Sequence, residues 1–190
     1  IGVEGNSSGF GLKKIGIEIG SNNHIIVDKN GKTNLDNIYA VGDVIGPPWL
    51  AHVSSSEGLY VVEHIAKLSP KKIDYDCVPA CTYSKPEIGS IGLSQKILDE
   101  RGIDYKVVKS FFNANGKAVA SDSTEGFIKI LVSDRNQILG AHIIGSNATE
   151  MISEFSLAMS NNLSVENILD SIHPHPTFSE AIFETLMQLR

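Results

Sequence analysis

Cysteine is nearly absent from this sequence of 190 residues: Cys77 and Cys81 are the whole complement. That count excludes a framework of disulfides, and the C-x-x-x-C spacing fits neither a zinc knuckle nor a C-x-x-C redox pair. Cys81 lies in the apolar run 78–83 and reads as a small buried residue, as free cysteines commonly are. Thiol usage of this kind suits a reducing, intracellular compartment, a bacterial cytoplasm first and a mitochondrial matrix as the alternative. Basic charge is also in deficit. Against 22 Asp and Glu there are 16 Lys and Arg, a net charge of −6, so a general field for phosphate backbones is missing and nucleic acid is not an expected partner. No apolar run approaches the roughly 20 residues that cross a bilayer, and no signal-peptide pattern is present, so no membrane is expected either. A dinucleotide-binding loop, G-x-G-x-x-G, is missing too: Gly9-Phe10-Gly11 is followed by Lys14 where the third glycine should stand. Alone, the chain has no evident pyrophosphate cradle. It opens on Ile1 rather than Met, in what reads as an ordered segment, and a native start is not expected there.

What is present is material for a folded core, with 42% apolar residues. The β-branched run His24–Val27 and the run Ile38–Val41 are short enough for buried strands, the first followed by the turn Asp28-Lys29-Asn30-Gly31. From Ser54 to about Leu68 the pattern is helical, with Leu59, Val62, Ile65 and Ala66 at three- and four-residue steps and Ser54–Ser56 available as caps. The polar stretch 69–76, with Pro70 and a lysine pair, marks a boundary between a region 1–69 and a region 77–190. Beyond it the pattern predicts strands over 78–83, 87–91, 106–113, 126–133 and 137–144, the last two joined by Asp134-Arg135-Asn136. Helices are expected over 94–101, 148–161, 165–172 and 177–189. Strands followed by helices give an α+β domain with an antiparallel sheet.

The stretch Ile172-His173-Pro174-His175-Pro176-Thr177-Phe178-Ser179-Glu180 carries the chemistry. Each histidine precedes a proline, which stiffens its backbone and presents two imidazoles from a rigid segment. Imidazole exchanges protons near neutral pH, and displacing a general base by ~1 Å is costly. Glu180 stands five residues after His175 and has two readings. It can orient that ring, or it can reach back in a capping box with Thr177 as N-cap. No third ligand lies near the His-x-His in sequence, so no metal is expected.

Several segments resemble the pyridine nucleotide–disulfide oxidoreductases. Ile38-Tyr39-Ala40-Val41-Gly42-Asp43, Leu50-Ala51-His52 and Glu57-Gly58 resemble the segment that closes the flavin domain of that family. Val78-Pro79, Tyr83-Ser84-Lys85-Pro86-Glu87-Ile88 and Gly92-Leu93 look like the opening of its dimerisation domain, and the histidine stretch like that domain's catalytic ending. The His-x-His-Pro-Thr-x-x-Glu form is closer to the dihydrolipoamide-oxidising branch than to the glutathione reductases.

The resemblance implies the following. Residues 1–69 are a remnant of the NAD/FAD-binding region and 77–190 the dimerisation domain of a homodimer. Asp43 accepts hydrogen bonds from the flavin ribityl chain, and Leu50, Ala51 and His52 lie against the isoalloxazine. His175 is the acid/base and Glu180 polarises it. FAD and NAD are the cofactors of the whole enzyme, and its partner is dihydrolipoamide on a carrier domain of a 2-oxoacid dehydrogenase complex. The family's redox cysteine pair and glycine loops are not in this chain, and Val53 stands where family members often carry lysine. The resemblance therefore implies the C-terminal part of a longer enzyme, inactive by itself. The alternatives are another flavin disulfide reductase, such as a glutathione reductase, and a non-catalytic dimerisation module.

Overall fold

A computed structural model of the chain describes residues 2–190, which divide into two compact units at the 73/74 junction.

The second unit is built on a five-stranded sheet in the order β1-β2-β5-β4-β3, antiparallel throughout. Its strands are β1 (Ala80–Thr82), β2 (Ile88–Gly92), β3 (Lys106–Phe111), β4 (Gly126–Val132) and β5 (Ile138–Gly145). The period of two decides which face meets the helices. Val108, Ile128, Ile130, Ala141, Ile143 and Ile91 all point to one side and are buried. On that side α4 (Ala148–Ser160) packs over β2 and β5, and α6 (Glu180–Leu186) over β3 and β4. Met151, Ile152, Phe155 and Ala158 of α4 and Ile182 and Leu186 of α6 close one continuous core with the strands. Gly89 permits the close approach of α4: a Cβ there would sit 2.5 Å from the Ala148 carbonyl oxygen. Glu87, one residue before β2, caps the same helix by accepting hydrogen bonds from the Thr149 N–H (3.1 Å) and hydroxyl (2.8 Å). On the opposite face His142 pairs across the sheet with Lys129 and Ser90. Its Nε2 lies 3.2 Å from the Leu93 carbonyl, and burial lowers its pKa. Cys81 is half-buried, its thiol pushed up by burial.

The expected antiparallel sheet flanked by helices is present, with altered element ends. The run 78–83 narrows to the three residues of β1, and β3 stops at Phe111. A short helix unforeseen from the sequence, α3 (Gly116–Ala120), follows with Asn115 as its cap. The helix α2 (Gln95–Arg101) opens on Ser94 as expected, its hydroxyl accepting from the Ile97 N–H, and closes on Gly102 in the left-handed region. The helix expected over 165–172 is α5 (Val165–Leu169).

In the first unit the runs 24–27 and 38–41 are not strands. Each makes a single bridge, Ile25 to Ile19 and Tyr39 to Lys32, and their other hydrogen bonds go to turns. Asp28 organises one turn by accepting the Asn30 and Lys32 N–H groups, which lower its pKa. The long helix, α1, runs Ala51–Ile65, three residues earlier than Ser54. Ser54, Ser55 and Ser56 do not cap it. Their hydroxyls bond back to the carbonyls of Leu50, Ala51 and His52, the i−4 pattern open to serine inside a helix.

Candidate functional site

Residues 170–179 connect α5 to α6 and hold the two histidines in different environments. The side chain of His173 is only 9% exposed, and its Nε2 lies 2.9 Å from Glu154 Oε1 on α4. The ring also rests near Phe183, with centroids 6.0 Å apart. His175 is the reverse case: its side chain is 77% exposed, so the ring is open to a reactant. The spacing alone does not separate the two; burial does.

His175 Nδ1 lies 2.9 Å from Glu180 Oε1. An ionised carboxylate can only accept, so Nδ1 is the donor in this contact, and whenever the ring is neutral the lone pair is on Nε2. Glu180 is held in its charged form. Its pKa is lowered by the hydrogen bond from the Thr177 N–H to Oε2 (2.8 Å) and then by the bond to His175. Glu180 thus makes a contact toward each of its two readings, Oε1 to the His175 ring and Oε2 to the Thr177 N–H. The capping box is incomplete, however. Thr177 is not the N-cap of α6, because its hydroxyl turns away to the Pro174 carbonyl (2.7 Å) and the helix begins at Glu180.

A pH dependence follows from the direction of that shift. A carboxyl whose folded pKa is depressed adds stability above its unfolded value and loses it as pH falls. Glu180→Gln is expected to melt below the unmodified chain at neutral pH, with the gap closing as pH drops below the ordinary 4.5 of a glutamate. Thermal melts at a series of pH values measure this. A gap constant down to strongly acidic pH would contradict it.

The remaining candidate residues lie in the first unit. Gly42–Ile45 forms a short 3-10 turn in which Gly42 has φ +76°, a conformation that suits glycine. The Gly42 N–H donates to Glu57 Oε2 at 2.7 Å in a buried setting. Glu57 lies on the buried side of α1 with Val53 and Val61. It thus fixes the turn that carries Asp43, a role that a polar residue on a helix gave no signal for in the sequence. Asp43 is exposed, Leu50 is half-buried just before α1, and Ala51 and His52 are exposed in its first turn. No side-chain hydrogen bond caps the start of this helix. His64, further along α1, stacks against Tyr60.

Comparison with known proteins follows the same division. The pyridine nucleotide-disulphide oxidoreductase dimerisation domain matches residues 78–186, and a further pyridine nucleotide-disulphide oxidoreductase domain matches 1–58. The chain is 39% identical over 98% of its length to a dihydrolipoyl dehydrogenase of Rhizobium etli, covering 39% of that protein. It is 43% identical to the mitochondrial dihydrolipoyl dehydrogenase of Sus scrofa, with 97% of this chain and 36% of that one aligned. Among solved structures, LpdA of Mycobacterium tuberculosis superposes with a TM-score of 0.92 at 27% identity, covering 98% of this chain and 41% of that one. The HOCl-induced flavoprotein disulfide reductase RclA of Escherichia coli, in its Cu(II) complex, gives 0.91 at 25% identity, with 98% and 43% covered. The chain thus spans about two fifths of the length of the relatives it matches. With a matching domain over most of its length and the antiparallel sheet and helices of that fold, the chain belongs to the pyridine nucleotide-disulphide oxidoreductase family.

Proposed function

We propose that this chain is the C-terminal part of a dihydrolipoyl dehydrogenase, contributing the dimerisation domain (77–190) and a proton-handling pair, His175 and Glu180. The observation that carries the reading is the contact between an exposed imidazole and a carboxylate held charged by a backbone N–H. With Nδ1–H committed to Glu180, His175 Nε2 takes the proton from a thiol of dihydrolipoamide. The resulting thiolate attacks one sulfur of an enzyme disulfide supplied by sequence outside this chain, breaking that disulfide to form a mixed disulfide and release the other cysteine as a thiolate, and Glu180 stabilises the imidazolium that forms. Misplacement of that ring by ~1 Å would slow the transfer, which is why its partner is anchored at both oxygens.

Residues 1–69 would be what this chain contributes to the NAD/FAD-binding region. The donor set there suits a flavin: an exposed carboxylate at Asp43 for hydroxyl groups, and the uncapped start of α1 at Leu50, Ala51 and His52, where helix N–H groups favour negative charge. When bound, the flavin would pass the electron pair from the disulfide centre to NAD+. The partner would be a second copy in a homodimer, and the substrate dihydrolipoamide on a carrier domain of a 2-oxoacid dehydrogenase complex. The 190-residue chain alone is expected to be inactive.

The test is substrate choice in the full-length enzyme. Dihydrolipoamide with NAD+ is expected to give NADH at an ordinary enzymatic rate, while oxidised glutathione with NADPH gives no turnover above background. The opposite preference would remove the dihydrolipoyl dehydrogenase reading and leave another flavin disulfide reductase. No turnover with either would leave a dimerisation module.

A further inference from the structure

We propose that Asn115 is a positioning residue for His175, acting through Thr177 and Glu180; this rests on the reading of His175 as the acid/base. Asn115 lies outside every motif in the sequence, yet it is 1% exposed and belongs to the core of the second unit. A buried amide needs partners at both ends. Its Oδ1 accepts the Ala118 N–H at 2.9 Å, which caps α3. Its Nδ2 donates to the Thr177 carbonyl at 3.1 Å, 62 residues further along the chain. Thr177 is therefore held at both of its backbone groups. Its C=O is fixed by Asn115, and its N–H is given to Glu180 Oε2 at 2.8 Å. The other oxygen of Glu180 holds His175 Nδ1 at 2.9 Å. The series Asn115, Thr177, Glu180, His175 runs without a break from the buried cap of a helix to the most exposed ring of the segment.

The chemistry of the amide separates positioning from capping. A cap needs only an acceptor oxygen, and serine or aspartate supplies one as well as asparagine does. The Nδ2 donor adds nothing to α3; its partner is the carbonyl next to the candidate catalytic segment. Phe178, the residue after Thr177, is buried against Phe112, so the carbonyl has little freedom to find another donor.

The experiment uses the 190-residue chain and the ¹⁵N resonances of the His175 ring at a pH where it is neutral. The unmodified chain is expected to hold the proton on Nδ1. In Asn115→Ser, which keeps the cap and cannot reach Thr177, the ratio of Nδ1–H to Nε2–H falls about two- to tenfold, the range set by one hydrogen bond. Glu180→Gln lowers it further, and the double variant gives the value of Glu180→Gln alone, because Asn115 works through Glu180. An unchanged ratio in Asn115→Ser overturns the proposal, as does an effect that adds to that of Glu180→Gln. Asn115→Asp, nearly isosteric, serves if the serine variant does not fold. A third readout needs no variant: the Asn115 side-chain NH₂ resonances move with the His175 titration, and their staying flat through it overturns the series. None of these readouts depends on turnover. His175→Ala can therefore refute the acid/base reading while the hydrogen-bond series stands, and the reverse.

Discussion

Full-length enzyme carrying His175→Ala is expected to oxidise dihydrolipoamide about 10²- to 10⁴-fold more slowly, the range a positioned general acid/base supplies. The same substitution is expected to leave the fold and the dimer intact. His175 is 77% exposed at its side chain and takes no part in the core, so alanine opens no cavity. Its side chain is bonded to Glu180, and removing it still leaves that carboxylate the Thr177 N–H. His173 makes the contrast. Nine-tenths buried and bonded to Glu154 on α4, it ties the segment to the helix layer, and its loss should show first in stability. Steady-state turnover and gel filtration on the same preparations separate the two effects. Wild-type turnover from His175→Ala would end the acid/base reading and favour the dimerisation module. Loss of turnover together with loss of the dimer would make His175 structural.

The sheet was legible because 126–133 and 137–144 are short, mostly apolar runs joined by a short polar connection, although the period of two breaks at Ile130, Leu131 and Val132, which are all buried. Met151, Phe155 and Ala158 were legible as the buried face of α4 by their helical period. In α1 the same rule found the helix but did not mark its buried face. Leu59, Val62 and Ile65 recur at helical steps yet are exposed, while the buried positions are Val53, Glu57 and Val61, with a glutamate in the middle. Apolar residues on both sides of a helix give periodicity no preferred face. Ser54–Ser56 failed as caps because a serine hydroxyl has an equal local option inside a helix, and only the backbone around it decides.

The site divides along similar lines. His175 and Glu180 were legible because they are five residues apart, and the link between them is local. Glu154, Glu57 and Asn115 were not. Each acts across a gap in sequence of 15 to 62 residues, on the partners His173, Gly42 and Thr177. Contacts of that kind are set by packing, which leaves no periodic trace. Asn115 was hidden further by sitting before a helix of only five residues, too short to register as a pattern.

The second large effect is expected from the core beneath the site. Phe112→Ala should destabilise the second unit by about 3–5 kcal/mol, the usual cost of emptying a buried phenylalanine position. Phe112 is fully buried, and its ring meets the edge of Phe178 with centroids 5.8 Å apart at 78°. Gly145 leaves room for it on another side: a Cβ there would stand 2.5 Å from the ring, so the site has been shaped around a full aromatic. Such a site collapses poorly, because the Gly145 backbone of β5 borders it on one side and the Phe178 ring on another. Phe178 follows Thr177 directly, so a cavity behind its ring also removes the support on which the Thr177 carbonyl and N–H depend. Urea unfolding should therefore show a lower midpoint with an unchanged slope. The ¹⁵N resonances of His175 should lose their Nδ1–H preference in the same variant while it is still folded. A loss of stability under about 1 kcal/mol would mean that neighbouring side chains refill the space. A large loss of stability with an unaltered His175 ring would mean that the segment 173–180 is held from above, by Glu154 and its own local bonds, and not from the core.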